Sequence, residues 1–248
     1  MARKTGVRLW AVAVWLLVWQ GASMALGQAL LLPSPLSALR RLCELALTAP
    51  FWQAVGWSGA RIIGGFLLAC AAGTLLAAPA AKWRAVRELL APLVAAVKTV
   101  PVASFIILAL VWLNSRSLSL FISFLMVFPT VYLNVLEGIA QADGKLLEMA
   151  RVFRVPVGRT VRGVYLPAVL PYFRSAASLG LGMCWKAGVA AEVIGLPSGS
   201  LGERLYTAKV YFQTPDLFAW TAVIVLASVV FERVFLAAVD AAVRKAGG

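Results

Sequence analysis

Apolar residues fill long, almost uninterrupted stretches of this chain. Six such stretches carry about twenty residues each with few or no charges, the length that an α-helix needs to cross a bilayer core of about 30 Å. They lie at roughly 9–31, 56–80, 89–113, 117–138, 169–195 and 217–238. The alternating pattern of a membrane β-barrel does not occur over comparable lengths. The pattern predicts an all-α membrane protein with about six transmembrane helices.

The composition agrees with this interpretation. Hydrophobic residues make up 62% of the chain, charged residues make up 13%, and the mean hydropathy is +0.88; about a quarter of the residues of a soluble domain are charged.

The first apolar stretch could also be a secretory signal, but it runs from Leu9 to Leu32, which is longer than a signal core of about 7–15 residues. We therefore expect a retained first span and a single transmembrane domain over residues 1–248.

Lysine and arginine residues are divided unevenly between the two sides that six spans define. If the N-terminus is cytoplasmic, thirteen cations fall on the cytoplasmic side and six on the outer side. The thirteen are Arg3, Lys4, Arg8, Lys82, Arg84, Arg87, Lys145, Arg151, Arg154, Arg159, Arg162, Arg244 and Lys245. Because cytoplasmic loops are enriched in Lys and Arg, both termini are predicted to be cytoplasmic. The net charge of +13 is then a topology signal, and no nucleic-acid partner is expected, since the cations are split among short loops.

The sequence lacks the motifs that carry common chemistry. It has no G-x-x-x-x-G-K-[ST] phosphate-binding loop and no histidine, so it lacks the commonest general base and the commonest metal ligand. Its three cysteines include no close pair, which argues against a disulfide framework. We expect no catalytic residues, no metal site and no cofactor in this chain.

The segment 141–167 is basic and amphipathic, unlike the spans around it. Its apolar residues recur at positions i, i+3, i+4 and i+7 of a helix; they are Leu146, Met149, Ala150 and Phe153. Pro156 and Gly158 interrupt this pattern, and a second short helix is predicted after them. Such a helix–turn–helix can rest on anionic lipid headgroups or insert its apolar side chains into a groove on a soluble partner. The residues alone leave both uses open.

The spacing of this segment resembles the EAA loop in permease subunits of bacterial ATP-binding-cassette importers. That loop has Glu-x-Ala, three residues, a glycine, nine residues and Ile-x-Leu-Pro. The corresponding residues here are Glu148, Ala150, Arg154 in place of the glycine, Val164, Leu166 and Pro167. The stretches VKTVPVASFIILALVWL (97–113) and WKAGVAAEVIGLPSGSLGERLYTAKVYFQTPDLFAW (185–220) are similar to the nitrate/sulfonate/taurine branch of these permeases. The resemblance extends over about residues 33–238.

The resemblance implies the architecture and partners of a type I importer permease in a bacterial inner membrane. Two such subunits, usually identical, form the translocation pathway, and a separate ATPase that binds ATP and Mg²⁺ docks under each. An extracytoplasmic solute-binding protein delivers the substrate, a small anion such as nitrate, a sulfonate or taurine, or a pyrimidine precursor of thiamine. The residues that the resemblance assigns to ATPase coupling are Glu148, Met149, Ala150, Arg151, Phe153, Arg154, Pro156 and Gly158.

The loop departs from the family pattern at two positions. Arg154 stands where the family usually has glycine, and Met149 stands where the second alanine is usual. A positive φ angle would be strained at an arginine. We therefore expect the turn to have moved to Pro156–Gly158.

Charged residues inside the predicted spans are candidates for the translocation pathway, because a charge near the bilayer centre costs at least about 2.5 kcal/mol. Lys98, followed by Pro101 and Ser104, predicts a polar notch in the third span; alternatively, its amine reaches the cytoplasmic headgroups. Lys186 and Glu192 lie six residues apart in the fifth span, about 120° around a helix. A direct pair between them is not expected, and each should find another partner or water.

Two other classes of function remain open from the residues alone. A secondary transporter would use Glu192 and the lysines for ion coupling and would show inverted repeats, but the sequence has no clear internal repeat. A scaffold or membrane-enzyme subunit is the third class, and an enzyme would need a catalytic constellation that the sequence lacks. The importer permease is the interpretation that all three quoted stretches favour.

Overall fold

The computed structural model describes residues 9–28 and 30–247, and within this part every regular element is helical. The helices are α1 Leu9–Leu26, α2 Pro35–Ala46, α3 Ala49–Lys82, α4 Arg84–Thr99, α5 Val102–Ala109, α6 Ser115–Ala140, α7 Gly144–Val152, α8 Val157–Thr160, α9 Leu166–Gly195, α10 Leu201–Val210 and α11 Thr214–Gly247, with a π-helical turn Val161–Tyr165 before α9. The predicted all-α fold is confirmed. The predicted basic cluster of Arg3, Lys4 and Arg8 lies outside the described residues, as do the side chains of Arg244 and Lys245.

Four helical segments of the described chain are long and apolar enough to cross a membrane. They are Ala49–Lys82, Ser115–Ala140, Val157–Gly195 and Thr214–Ala241. These segments contain the second, fourth, fifth and sixth predicted spans. The first prediction, 9–31, corresponds to α1, which is apolar but has only 18 residues and ends at Leu26. Gly27 follows with a φ angle of 61°, a conformation that ends a helix.

The third predicted span, 89–113, is not a straight helix. It comprises α4 and α5, whose axes differ in direction by 107°. Pro101 explains the break, because it has no N–H to continue the helical hydrogen bonds. It also restricts the residue before it, and Val100 is accordingly extended, with φ −77° and ψ 134°. The chain therefore turns sharply where the hydropathy predicted a continuous helix.

The core of the subunit lies between α3, α6 and α9. Several of its side chains are fully buried, among them Ile62, Phe66, Val127, Val131 and Leu181. Small residues let the helices approach closely: a Cβ on Gly65 would overlap the backbone of Leu120, and a Cβ on Gly73 would lie 3.0 Å from the amide nitrogen of Tyr132. Close contact of this kind is how helices associate in lipid, where hydrophobic burial gives little driving force.

Ion pairs tie the helices together at both ends of the bundle. At the end that contains α2 and α10, which we call the outer end, Arg41 binds both carboxylate oxygens of Asp216 at 2.5 and 3.0 Å. Hydrogen bonds with Asp216 and then Glu44 raise the pKa of Arg41, and the bond with Arg41 lowers the pKa of Glu44. At the opposite end, which contains α7 and α8 and which we call the loop end, Arg174 binds Asp240 at 2.6 and 2.9 Å.

Candidate functional site

The segment at the loop end begins with a short, capped helix. The Asp143 carboxylate accepts a hydrogen bond at 2.8 Å from the N–H of Lys145, one of the donors that have no partner in the first turn of a helix. The helix that follows, α7, has no buried residue. Local hydrogen bonds at its two ends, and not packing against the bundle, therefore hold α7 in shape.

Arg154 ends α7 in a left-handed conformation with a φ angle of 50°. Its N–H donates to the carbonyl of Arg151 at 3.1 Å, and the N–H of Val155 donates to the carbonyl of Ala150 at 2.8 Å. These two bonds form a Schellman motif, which usually has glycine at the left-handed position. The turn is therefore at Arg154, where the family pattern has glycine, and the predicted move to Pro156–Gly158 is wrong.

Pro156 and Gly158 have different roles from the predicted ones. Pro156 is extended, with φ −55° and ψ 141°, and directly precedes α8, a position in which a missing N–H is harmless. Gly158 lies inside α8, and a Cβ added to it would meet nothing within 4 Å. Neither the backbone nor the surrounding space requires glycine at this position.

The apolar face of α7 lines a cavity of about 520 Å³ between α7 and the segment that follows it. We call the residues that line it the loop surface: Leu146, Met149, Ala150, Phe153, Val155, Arg159, Thr160, Gly163 and Val164. Met149 is 52% exposed and Phe153 is 73% exposed. Burying a large apolar side chain gains roughly 1.5–3 kcal/mol, and contiguous exposed apolar residues mark interaction surfaces. The loop surface is therefore suited to bind another molecule.

Charged residues surround this apolar surface. Glu148, Arg151 and Arg162 are exposed, and Arg159 borders the cavity. Glu148 has no hydrogen bond or ion pair within residues 10–28 and 30–241, for which side-chain contacts are described. The Glu148 carboxylate is thus available to a partner and does not fix the shape of the loop.

Lys98 lies in a second cavity, of about 400 Å³, between α4, α6 and α9. Thr130 and Asn134 of α6 also line this cavity, and the Asn134 side-chain amide donates to the Thr130 carbonyl at 2.8 Å. These two polar residues were not predicted as site residues. The sequence did contain a signal for them, since they lie one helical turn apart beside Pro129 in an otherwise apolar span.

The structure does not bring together all the residues of the predicted notch. Pro101 caps the start of α5, and Ser104 lies exposed on α5, beyond the bend. Neither residue lines the cavity that contains Lys98. The polar residues that line the cavity together with Lys98 come from α6 and not from the next turn of its own span.

Lys186 lies exposed on α9, three residues after Met183, and Met183 lines the Lys98 cavity. Lys186 is therefore about one helical turn from this cavity, on the same side of α9 and closer to the outer end. No carboxylate forms an ion pair with Lys98 or Lys186 in the described part of the chain. As expected, Lys186 does not pair with Glu192.

Glu192 is fully buried at the outer end. Its Oε2 atom accepts hydrogen bonds from the Ser58 hydroxyl at 2.8 Å and from the Gly202 N–H at 3.2 Å. The Ser58 hydroxyl in turn accepts a bond from the Leu201 N–H at 2.9 Å. Leu201 and Gly202 form the first turn of α10, whose donors lack helical partners. We call Ser58, Glu192, Leu201 and Gly202 the glutamate joint.

The glutamate joint connects α3, α9 and α10 inside a single subunit. Glu192 does not lie on the exposed side of α9 that carries Lys186. Its position therefore fits a structural role better than the predicted role in the pathway. The two lysines and Glu192, which were grouped as pathway candidates, fall into two separate regions.

Comparison with known families gives one match, which covers most of the chain. Residues 69–246 match a family described as the binding-protein-dependent transport system inner membrane component. The matched residues include the whole loop surface and the whole Lys98 cavity.

Individual relatives are similar over most of their length. A Bacillus subtilis permease protein named for aliphatic sulfonate transport is 31% identical over 210 residues, which cover 84% of this chain and 75% of that protein. The taurine transport system permease protein of Escherichia coli is 26% identical over 239 residues, covering 94% and 86% of the two chains. A nitrate import permease protein of Synechococcus elongatus is 25% identical over 206 residues, covering 79% and 73%.

Proposed function

This chain belongs to the binding-protein-dependent transport system inner membrane component family, and from that premise we propose that it is the membrane-spanning subunit of an ATP-driven importer. Its several apolar helices agree with a multi-pass protein of a bacterial inner membrane. The loop end carries the basic groups around Lys82, Arg84 and Lys145, and α11 ends there. We place this end, and both termini, in the cytoplasm, where Lys and Arg are enriched.

The loop surface is the docking site for a separate ATPase in this proposal, and its exposure is the observation that carries it. Met149 and Phe153 are apolar, largely exposed and held in shape by local caps. An amphipathic helix of this kind docks by inserting apolar anchors into a groove. ATP and Mg²⁺ belong to the ATPase, because this chain has no phosphate-binding loop.

A second copy of the subunit completes the pathway. Lys98 and Lys186 lie exposed on one chain, and each would cost at least about 2.5 kcal/mol if it faced lipid near the bilayer centre. Covering this side of the bundle with a second subunit places both lysines along a shared, hydrated path. The side of α9 that bears Lys186 is therefore the side that we assign to the dimer interface.

The substrate is a small anion that an extracytoplasmic binding protein delivers. The family is named for dependence on a binding protein, and the relatives above are named for aliphatic sulfonates, taurine and nitrate. The unpaired lysines of the proposed pathway favour an anionic group.

The docking proposal is tested by co-expressing the chain with the ATPase subunit of the same importer and measuring co-purification and uptake. Phe153→Ala should reduce ATPase retention at least tenfold, as expected for an apolar anchor, while the amount of inserted subunit stays unchanged. Phe212→Ala is the matched control, because Phe212 is 75% exposed but lies at the outer end. It should retain the ATPase.

The arginines distinguish ATPase docking from binding to lipid. If the loop rests on anionic headgroups, each arginine contributes about 1 kcal/mol to its binding at the membrane surface. Changing Arg159 and Arg162 to Gln should then detach the loop from the membrane. If the loop docks on an ATPase, Phe153→Ala and Glu148→Arg should reduce ATPase retention more than the arginine changes do. Loss of the ATPase in the arginine variant, with retention in Phe153→Ala and Glu148→Arg, would show that the loop is a membrane-surface element.

A further inference from the structure

Lys98 is an exposed cation in a surface cavity of the single subunit, and it has no anionic partner in the described part of the chain. It lies in the last turn of α4, where the helix dipole stabilises a positive charge. The helix end therefore interacts favourably with the amine although no carboxylate lies beside it. A cation held in this way leaves its full charge available to a ligand.

Two hydrogen-bonding side chains line the same cavity. One N–H of the Asn134 amide donates to the Thr130 carbonyl, and this leaves the second N–H free to donate to a ligand. The Thr130 hydroxyl adds another donor on the same wall. The remaining wall is mostly apolar and includes Met126, Leu133 and Met183, so charge interactions inside it are screened less than in water.

The cavity lies about two to three turns from the loop end of α6. Thr130 is ten residues and Asn134 six residues from the end of α6 at Ala140, or about 15 Å and 9 Å along the helix. These depths fall within a hydrocarbon core of about 30 Å. A lipid phosphate is therefore a poor candidate for the anion at this position.

We propose that Lys98, Thr130 and Asn134 form an intramembrane binding site for a small oxyanion. The amine supplies the charge, and the hydroxyl and the amide supply oriented donors. The volume of about 400 Å³ is within the usual range for small-molecule sites, roughly 300–1,000 Å³. A single cation selects a monovalent anion, because a second negative charge would remain uncompensated. This inference rests on the proposed importer function. In that function, the substrate binds transiently at this site on its way from the binding protein to the cytoplasm.

The site can be tested in the full chain in lipid nanodiscs, without the ATPase, by the reactivity of a reporter cysteine. Met183→Cys places a thiol in the cavity wall. Cys43 is exposed and is replaced by Ser, whereas Cys70 and Cys184 are buried and stay. The probes are an anionic reagent, sulfonatoethyl methanethiosulfonate, which is itself a small alkanesulfonate, and its cationic trimethylammonium analogue.

After each labelling rate is divided by the rate of the same reagent with a free thiol in solution, the anionic reagent should label the reporter roughly tenfold faster than the cationic one, because Lys98 concentrates anions in the cavity. Lys98→Gln should abolish this preference. Lys209→Gln, which removes a lysine of α10 at the outer end, is the matched control and should preserve it. An absent preference, or one that persists in Lys98→Gln, overturns the site.

Competition tests the two hydrogen-bonding residues separately from the charge. Ethanesulfonate and nitrate should slow labelling at concentrations at which sulfate has little effect. Thr130→Val and Asn134→Leu should weaken this protection while the charge preference of the reagents remains. Equal protection by sulfate, or unchanged protection in both variants, contradicts the assignment.

The same membranes separate a failure of the site from a failure of the proposed function. If the assembled importer needs its ATPase for uptake but the reporter shows no charge preference, the function stands and the site is wrong. If the reporter behaves as expected but no ATPase binds and uptake proceeds without one, the oxyanion site stands and the importer proposal is wrong.

Discussion

The glutamate joint and the loop surface are built in opposite ways. In the joint, a fully buried carboxylate accepts hydrogen bonds from Ser58 of α3 and from Gly202 at the start of α10. In the loop surface, Phe153 is 73% exposed, and the nearby Glu148 has no partner in the described part of the chain. The chain buries the joint and bonds the Oε2 atom of Glu192, while Oε1 has no hydrogen bond in the described part of the chain, whereas the loop surface exposes apolar side chains that a folded protein usually covers.

The difference indicates what each region is for. A buried polar group without a partner costs about 1–3 kcal/mol, so the joint must form whenever the subunit folds. The loop surface has no such requirement, because water satisfies its polar groups and only its apolar burial is missing. We therefore expect substitutions in the joint to lower the stability of the isolated subunit, and substitutions in the loop surface to alter association alone.

The largest effect should come from adding one methyl group to the joint. A Cβ on Gly202 would overlap the side chain and backbone of Glu192, so Gly202→Ala must displace α10 and break the bonds that its first turn makes. We expect the free energy of unfolding to fall by at least about 3 kcal/mol, measured by thermal unfolding of the purified subunit in detergent. Gly158→Ala is the matched control, since its Cβ meets nothing, and it should change the stability by less than about 1 kcal/mol. Equal stability of the two variants would show that α10 is not held against Glu192.

Removing the carboxylate of the joint should cause a smaller loss of stability, and the exposed Glu148 serves as its control. Glu192→Ala leaves the Gly202 N–H and the Ser58 hydroxyl without their acceptor and opens a cavity, so the free energy of unfolding should fall by about 2–3 kcal/mol. Glu148→Ala should change it by no more than about 0.5 kcal/mol, because the residue is exposed and unpaired. The same thermal unfolding measurement checks both. A larger loss in Glu148→Ala than in Glu192→Ala would reverse the comparison.

Hydropathy and helical spacing predicted the parts of this molecule that depend on neighbours along the chain. The apolar runs gave the long helices, because an apolar helix of about twenty residues is determined by length and composition. The apolar face formed by Leu146, Met149 and Phe153 followed from i, i+3 and i+7 spacing. The family spacing also identified the turn position at Arg154, although the expected strain led us to place the turn later.

The parts that depend on contacts across the bundle could not be predicted in this way. Ser58 and Glu192 are 134 residues apart in the sequence, and no local pattern connects them. A proline alone also does not predict the bend at Pro101, because other prolines lie inside continuous helices of the described chain. They are Pro79, Pro92, Pro129 and Pro171. Thr130 and Asn134 acquire a possible function only when α4 brings Lys98 to them.

The smallest effect should be local to the loop surface, at the left-handed residue Arg154. A left-handed conformation costs a non-glycine residue about 1 kcal/mol, so Arg154→Gly should stabilise the end of α7. Because α7 has no buried residue, this gain should not raise the melting temperature of the subunit. It should instead slow hydrogen exchange of the α7 amides by about threefold to fivefold. Arg151→Gly is the matched control, because Arg151 is helical and glycine there costs about 1 kcal/mol, so exchange should become faster. If Arg154→Gly also speeds exchange, the turn is not at Arg154, and the loop surface does not have the shape on which the docking proposal depends.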